Sequence, residues 1–205
     1  MSFNPKKKPY FRVNASGFIP QRKIEEFLIA HQNWMDKQLL QLNENCELTV
    51  FGEKTEVVII PYKSNKAIHK DNVLYLYQKD VDDKDVSVKL LTNYWKKSLR
   101  EYIEENRFYY ERVTGKKNVE FSYRLMTSRY GSCRPDKDKI SLSTYLALFS
   151  PDIIDSVVFH EYAHFKQANH SSRFYKVLLE YYPDYYARNK ELKKISLRNP
   201  EDYLK

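Results

Sequence analysis

His160 and His164 stand four residues apart with Glu161 beside the first, and this spacing constrains the fold more than any other feature of the chain. On an α-helix, at about 100° per residue, positions i and i+4 lie one turn apart on the same face. His160 and His164 then share a stripe with Ile153 and Val157, while Glu161 joins Ile154, Val158 and Phe165 on the adjoining one. Both apolar stripes are predicted to face the core. Two imidazoles and a carboxylate placed there are costly to bury unless something pairs with them. The helix is predicted to start at Ser150-Pro151-Asp152, where a Ser can cap free amides, a Pro fits the first turn and an Asp complements the dipole. Its predicted end is about Gln167.

Two imidazoles one turn apart with a Glu between them form an HExxH pattern. This pattern holds one Zn²⁺ at ~2.0–2.1 Å while the Glu handles a water. His170 follows His164 by six residues, the interval of the longer zinc motif with a third His. Gln167 stands where that motif has its turning Gly, so the reversal is assigned to Asn169, a residue type that tolerates the left-handed conformation. Three imidazoles beside a carboxylate that need not bind metal resemble an open site with a position left for water. A closed structural zinc site with Cys133 as fourth ligand is the other arrangement the residues allow.

The rest of the chain alternates in period. Pro20 to Leu42 carries Ile24, Phe27, Leu28, Trp34, Met35, Leu39 and Leu42 near helical spacing. Glu47 to Gln78 reads as short β-rich runs broken by Gly52, Pro61 and Asn72, predicting a small antiparallel sheet. Val86 to Val113 is again helical, with Gly115 as its terminator. Strands are predicted over Val119–Arg124 and Lys139–Leu142, around a turn at Gly131–Asp136. Further helices are placed from Ser171-Ser172 to Pro183 and from Asp184 to Lys194. Residues 1–80 are expected to form an N-terminal lobe of a helix and a small sheet, and residues 86–205 the functional domain; the alternative is one continuous domain.

Over 205 residues, Lys and Arg exceed Asp and Glu by 35 to 27, a net charge of +8. Such a balance favours anionic partners. Cys46 and Cys133 are too few for a disulfide framework and suit a reducing compartment. The longest aliphatic run, Val57 to Ile60, is far short of the ~20 residues of a membrane span. No apolar stretch follows Lys6-Lys7-Lys8 as a secretory signal would need. The expectation is a soluble, cytoplasmic protein with no membrane partner.

The run Arg124-Leu125-Met126-Thr127-Ser128-Arg129-Tyr130-Gly131-Ser132-Cys133 is followed by Ile140–Ser143, the HExxH helix, Asn169-His170-Ser171, Phe174 and Pro183-Asp184-Tyr185. Together these resemble the YgjP-like metallopeptidase family over roughly residues 18–195. Tyr130 stands in place of the family's usual Trp, Tyr162 of a Leu and Ser143 of an Asn, and none of the three is an implied ligand. The resemblance implies an α+β, zincin-like fold related to the SprT-like proteases. It also implies one Zn²⁺ held by His160, His164 and His170, with Glu161 catalytic. The family places the loop flanked by Arg124, Arg129 and Arg134 beside the metal. These arginines would then hold an anionic substrate or a developing oxyanion, with Arg129 the catalytic candidate, or else pair with carboxylates.

The expected function is a zinc-dependent hydrolase, most simply a peptidase acting on peptide or protein, with Glu161 as general base. A nucleotide or phosphoester hydrolase would use the same chemistry and explain the arginines. A zinc-stabilised nucleic-acid-binding module without catalysis would instead use Lys6-Lys7-Lys8, Lys96-Lys97, Lys116-Lys117 and the Arg loop on phosphates. Cys133 is expected to be a packed residue, the tyrosines to be amphipathic packing, and His31 and His69 to be lone.

Overall fold

The structure is a computed structural model that describes residues 2–3, 11–36, 47–194 and 197–204. Lys6-Lys7-Lys8, Leu39, Leu42 and Cys46 fall outside the described residues. Strands β1 (Ser2–Phe3) and β2 (Phe11–Arg12) pair antiparallel ahead of helix α1 (Gln21–Ala30). The apolar spacing from Pro20 predicts one continuous helix, but α1 breaks at His31, whose φ of −106° and ψ of 6° leave the helical region. None of its residues is buried, and Ile29 is 74% exposed. Its support is local, from Arg22 to Glu26 at 2.9 Å and Gln21 to Glu25 at 2.9 Å, the one-turn pairs that add a few tenths of a kcal/mol each.

The β-rich stretch begins with the short pair β3 (Thr49–Val50) and β4 (Glu53–Lys54). Next come β5 (Glu56–Pro61), β6 (Lys66–Lys70) and β7 (Val73–Gln78), in the order β5-β7-β6. The sheet is mixed rather than antiparallel. Asp71 and Asn72, with φ of 52° and 60°, close a tight hairpin between β6 and β7. β7 then slots between its neighbours and runs parallel to β5. The reason is burial: β7 alternates so that Leu74, Leu76 and Gln78 are wholly inside, and the central position covers such a strand best.

Helix α2 (Lys84–Thr114) begins where the Asp83 carboxylate accepts the Val86 N–H and ends at Gly115, left-handed at φ 71°. Its buried stripe of Leu91, Trp95, Leu99, Ile103 and Tyr110 lies along the core. The second sheet comprises β8 (Glu120–Arg124), β9 (Gly131–Arg134) and β10 (Lys139–Ser143), in the order β8-β10-β9. The Gly131–Asp136 segment, expected as a turn, thus begins as an edge strand antiparallel to β10. The turn itself is Pro135–Lys137 with Asp138 at φ 47°.

A buried 3₁₀ segment, Thr144–Leu148, leads into α3 (Pro151–Ala163), α4 (Ser172–Tyr181) and α5 (Tyr185–Lys194). One hydrophobic cluster joins Leu48, Leu74 and Leu76 to Trp95, Leu142, Ile154, Val158 and Phe159. Trp95, fully buried, packs on Tyr145 and Tyr203 at 5.6 Å. The α+β class read from the sequence holds. No helix among the described residues is long and apolar enough to cross a membrane.

Candidate metal centre

Helix α3 carries the first two histidines, and both its ends differ from expectation. At the start, Pro151 and Asp152 occupy the first turn as predicted, but Ser150 caps nothing with its side chain. Its carbonyl instead accepts from the Ile153 and Ile154 amides at 3.0 and 3.1 Å. At the other end, regular helix stops at Ala163, four residues before Gln167. The chain tightens there through Phe165 N–H to Tyr162 O at 3.1 Å and Lys166 N–H to Ala163 O at 3.0 Å, the i to i−3 bonds of a 3₁₀ turn. This tightening reverses the chain, so Asn169 is not needed in the left-handed region and is not among the residues with positive φ.

The reversal delivers His170, just before α4, to the two histidines of α3. One ligand atom from each of His160, His164 and His170 lies within 4.8 Å of the others, and the His160 and His170 Nε2 atoms are 3.1 Å apart. All three rings pack against Phe174, with centroids 5.0, 4.7 and 4.8 Å away. Phe174 is fully buried and forms the apolar floor of the cluster.

The Nδ1 atoms of His160 and His164 are occupied. His164 Nδ1 lies 3.2 Å from the Gln167 carbonyl, which can only accept, so that nitrogen carries the proton and Nε2 keeps its lone pair. His160 Nδ1 lies 3.1 Å from the Tyr185 hydroxyl, with the Tyr185 ring stacked on the imidazole at 23°. Burial, and then the neighbouring His164 and His170, push His160 down to about 4. His164 is also lowered, chiefly by burial. Three converging imidazoles, two of them held neutral and with ligand atoms no more than 4.8 Å apart, suit a borderline-soft cation. Tetrahedral zinc with ~2.0–2.1 Å bonds spaces its ligand atoms by roughly 3.3 Å. The donor set therefore fits zinc, with outer partners that hold the rings in place.

Glu161 lies outside the ligand group, on the face of α3 turned to β9. It is 5% exposed, and burial pushes its carboxyl up to about 8 against the opposing pull of Arg129. Gly131 makes this approach possible. A Cβ there would stand 2.5 Å from Glu161 Oε1, so any side chain at the start of β9 would displace the carboxylate.

The three arginines separate. Arg129 shares a cavity of about 200 Å³ with His160 and Glu161. Arg124 ends β8, exposed, and Arg134 pairs with Asp136 at 3.7 Å, so neither lines that cavity. Cys133 is not part of the metal-ligand group among the described residues, which removes the closed four-ligand arrangement. Its half-buried thiol is pushed up to about 12, first by burial and then by Glu161. His31 bonds to the Phe27 carbonyl at 2.8 Å and His69 packs on Tyr94, both apart from the cluster. Sequence reasoning missed the roles of Tyr185, Phe174 and Gly131. The signals available were Gly131, one of only 4 glycines in the chain, standing two residues after Arg129, and the place of Phe174 and Tyr185 among the residues that carry the family resemblance, which does not give their contacts.

The family model of the YgjP-like metallopeptidase domain matches residues 1–195. A search of the curated proteins gives no match. Among solved structures, the metallopeptidase zymogen of Pyrococcus abyssi abylysin is similar at 17% identity and a TM-score of 0.42, over 47% of this chain and 97% of that one. With 195 of its 205 residues matched, the chain belongs to the YgjP-like family, a metallopeptidase domain, and its fold is α+β.

Proposed function

We propose that the chain is a zinc-dependent peptidase, holding one ion through His160, His164 and His170 and using Glu161 as the general base. The observation that carries this reading is the convergence of three imidazoles beside a buried carboxylate that is not itself in the ligand group. A zinc ion bound there supplies Lewis acidity toward a carbonyl oxygen and acidifies water. Glu161, fixed between α3 and Gly131, takes a proton from the attacking water and returns it to the leaving amine. Arg129 keeps a positive charge near that carboxylate and is available to the substrate. Tyr185 and the Gln167 carbonyl hold two of the rings in register.

The phosphoester and nucleic-acid readings lose footing because the basic charge is dispersed. Lys116 pairs with Asp138, Lys139 with Glu120 and Arg107 with Glu104, and of the three loop arginines only Arg129 lines the cavity. The test compares zinc-loaded wild type with Glu161→Gln on a peptide library and on nucleotides. Peptide cleavage falling by roughly 10²–10⁴-fold in the variant, with zinc content unchanged, is expected. Turnover of a phosphoester alone, or wild-type peptide cleavage by the variant, overturns the reading.

A further inference from the structure

The cavity beside Glu161 is too small for an extended ligand. At about 200 Å³ it lies below the ~300–1,000 Å³ of small-molecule sites, which leaves room for a single residue. Val157, Leu192 and the Tyr185 ring give it buried apolar walls. Ser156 adds little polarity, because its hydroxyl is spent on the Ile153 carbonyl at 2.7 Å.

Two polar groups in this lining are uncommitted. Asn189, half-buried on α5, makes no side-chain hydrogen bond among the described residues. Arg129, exposed in the same lining, forms no ion pair among them, and Glu161 feels its charge without pairing to it. An exposed Arg alone would mean little. A planar guanidinium and a free amide facing one residue-sized apolar pocket match the two needs of a carboxylate attached to an apolar group.

Resting on the peptidase reading above, we propose that this pocket selects the substrate residue on one side of the scissile bond, accepting an apolar side chain whose neighbouring carboxylate is held by Arg129 and Asn189. That carboxylate is either the substrate's own C-terminus or an Asp or Glu side chain beside the apolar residue. Arg129 and Asn189 are thus specificity determinants. The pocket places the bond to be cut next to Glu161.

The test uses the zinc-loaded full chain and one peptide in three forms: Leu as the free C-terminal acid, Leu as the C-terminal amide, and Leu followed by an amidated Glu. Binding of N-acetyl-leucine and of N-acetyl-leucinamide is measured by calorimetry alongside. The expected result is a preference of about tenfold or more for a carboxylate form over the amide. Arg129→Gln should bring that ratio toward one through KM, Arg129→Lys should restore it in part, and Asn189→Ala should narrow it. The acid form winning assigns the C-terminus, and the Glu form winning assigns the side chain. N-acetyl-leucine binding that weakens about tenfold in Arg129→Gln separates this pocket from coordination by the metal. Peptides cut with no carboxylate preference, and N-acetyl-leucine binding indifferent to Arg129→Gln, overturn the pocket while the peptidase stands. Arg129-dependent binding with no peptide cut overturns the peptidase reading while the pocket stands.

Discussion

The two three-stranded sheets have the same topology. In each, the strand that comes third in sequence lies in the middle, parallel to the first and antiparallel to the second, and α2 packs along both. Their edge strands differ. β6 presents Ala67 and His69 toward α2, beside a groove of about 640 Å³ lined by Phe51, Tyr94 and Tyr102. β9 presents Gly131 to Glu161, beside a cavity less than a third as large. The larger groove holds one imidazole, whose buried Nε2 has no hydrogen-bond partner and which joins no group of three or more metal-ligating side chains among the described residues. The smaller cavity adjoins three imidazoles and a carboxylate. Neither topology nor cavity size marks a site; convergence of groups with complementary needs does.

The sharpest way to break this comparison is to give β9 the small side chain that β6 has. Gly131→Ala should leave fold and zinc content intact, because the clash is with one carboxylate arm and the edge strand itself can carry an Ala. It should lower peptide turnover by about 10²-fold, the scale of an ångström's misplacement of a reacting group. His69→Gln on β6 should leave turnover unchanged. If the two substitutions act alike, the assignment of the site to the second sheet fails.

A smaller effect is expected one shell outward. Tyr185→Phe keeps the ring stacked on His160 and removes only the hydroxyl at 3.1 Å. Zinc affinity, read by chelator competition, should weaken about tenfold. Unchanged affinity would mean that the contact does not hold the imidazole in place.

The features that were legible in the sequence are those set by local pattern. The His spacing, the Gly115 end of α2, and the Pro151 start of α3 all act within a few residues. The features missed depend on what lies across space. Gly131 reads as a turn residue until β10 pairs with its strand. A parallel partner for β5 cannot be read from β5, since its runs look alike in either direction. The apolar spacing runs on through Phe165 and so predicts too late an end for α3, whereas the three-histidine convergence requires the chain to turn from Ala163. Tyr185 is one of 18 tyrosines, and its place in the Pro183-Asp184-Tyr185 run does not say that it reaches His160.

α3 is also tied to α2 at a distance from the metal ligands. Asp155 accepts from Tyr110 at 2.6 Å and Tyr102 at 2.8 Å. Burial raises its carboxyl above the ordinary aspartate value, and the two hydroxyls only partly offset this. A carboxyl raised on folding binds its proton more tightly in the folded state, so its contribution to stability falls as pH rises from the unfolded value through the folded one. Asp155→Asn should remove that slope, so that the variant gains on wild type with rising pH across that window in chemical denaturation. Tyr110→Phe should cost about 1 kcal/mol and steepen the slope, since a carboxylate is left with one donor fewer. A wild-type advantage that grows with pH would refute the direction.

The smallest expected effects belong to the two arginines that the second sheet leaves at its rim. Arg134 sits with 57% of its side chain exposed and meets Asp136, 64% exposed, at 3.7 Å. Exposed pairs of this kind contribute about 0–1 kcal/mol, because solvent screens the attraction and two long side chains must be held still. Arg124 is likewise exposed and does not line the cavity. Arg124→Ala and Arg134→Ala should therefore each change stability by no more than about 0.5 kcal/mol and leave peptide turnover within about twofold, a change worth under 0.5 kcal/mol of barrier. All three arginines flank the same loop in sequence, so equal losses at all three would show that a general positive field draws the substrate in. That field would weaken steeply with added salt, whereas a pocket contact confined to Arg129 would show as a loss at that position alone.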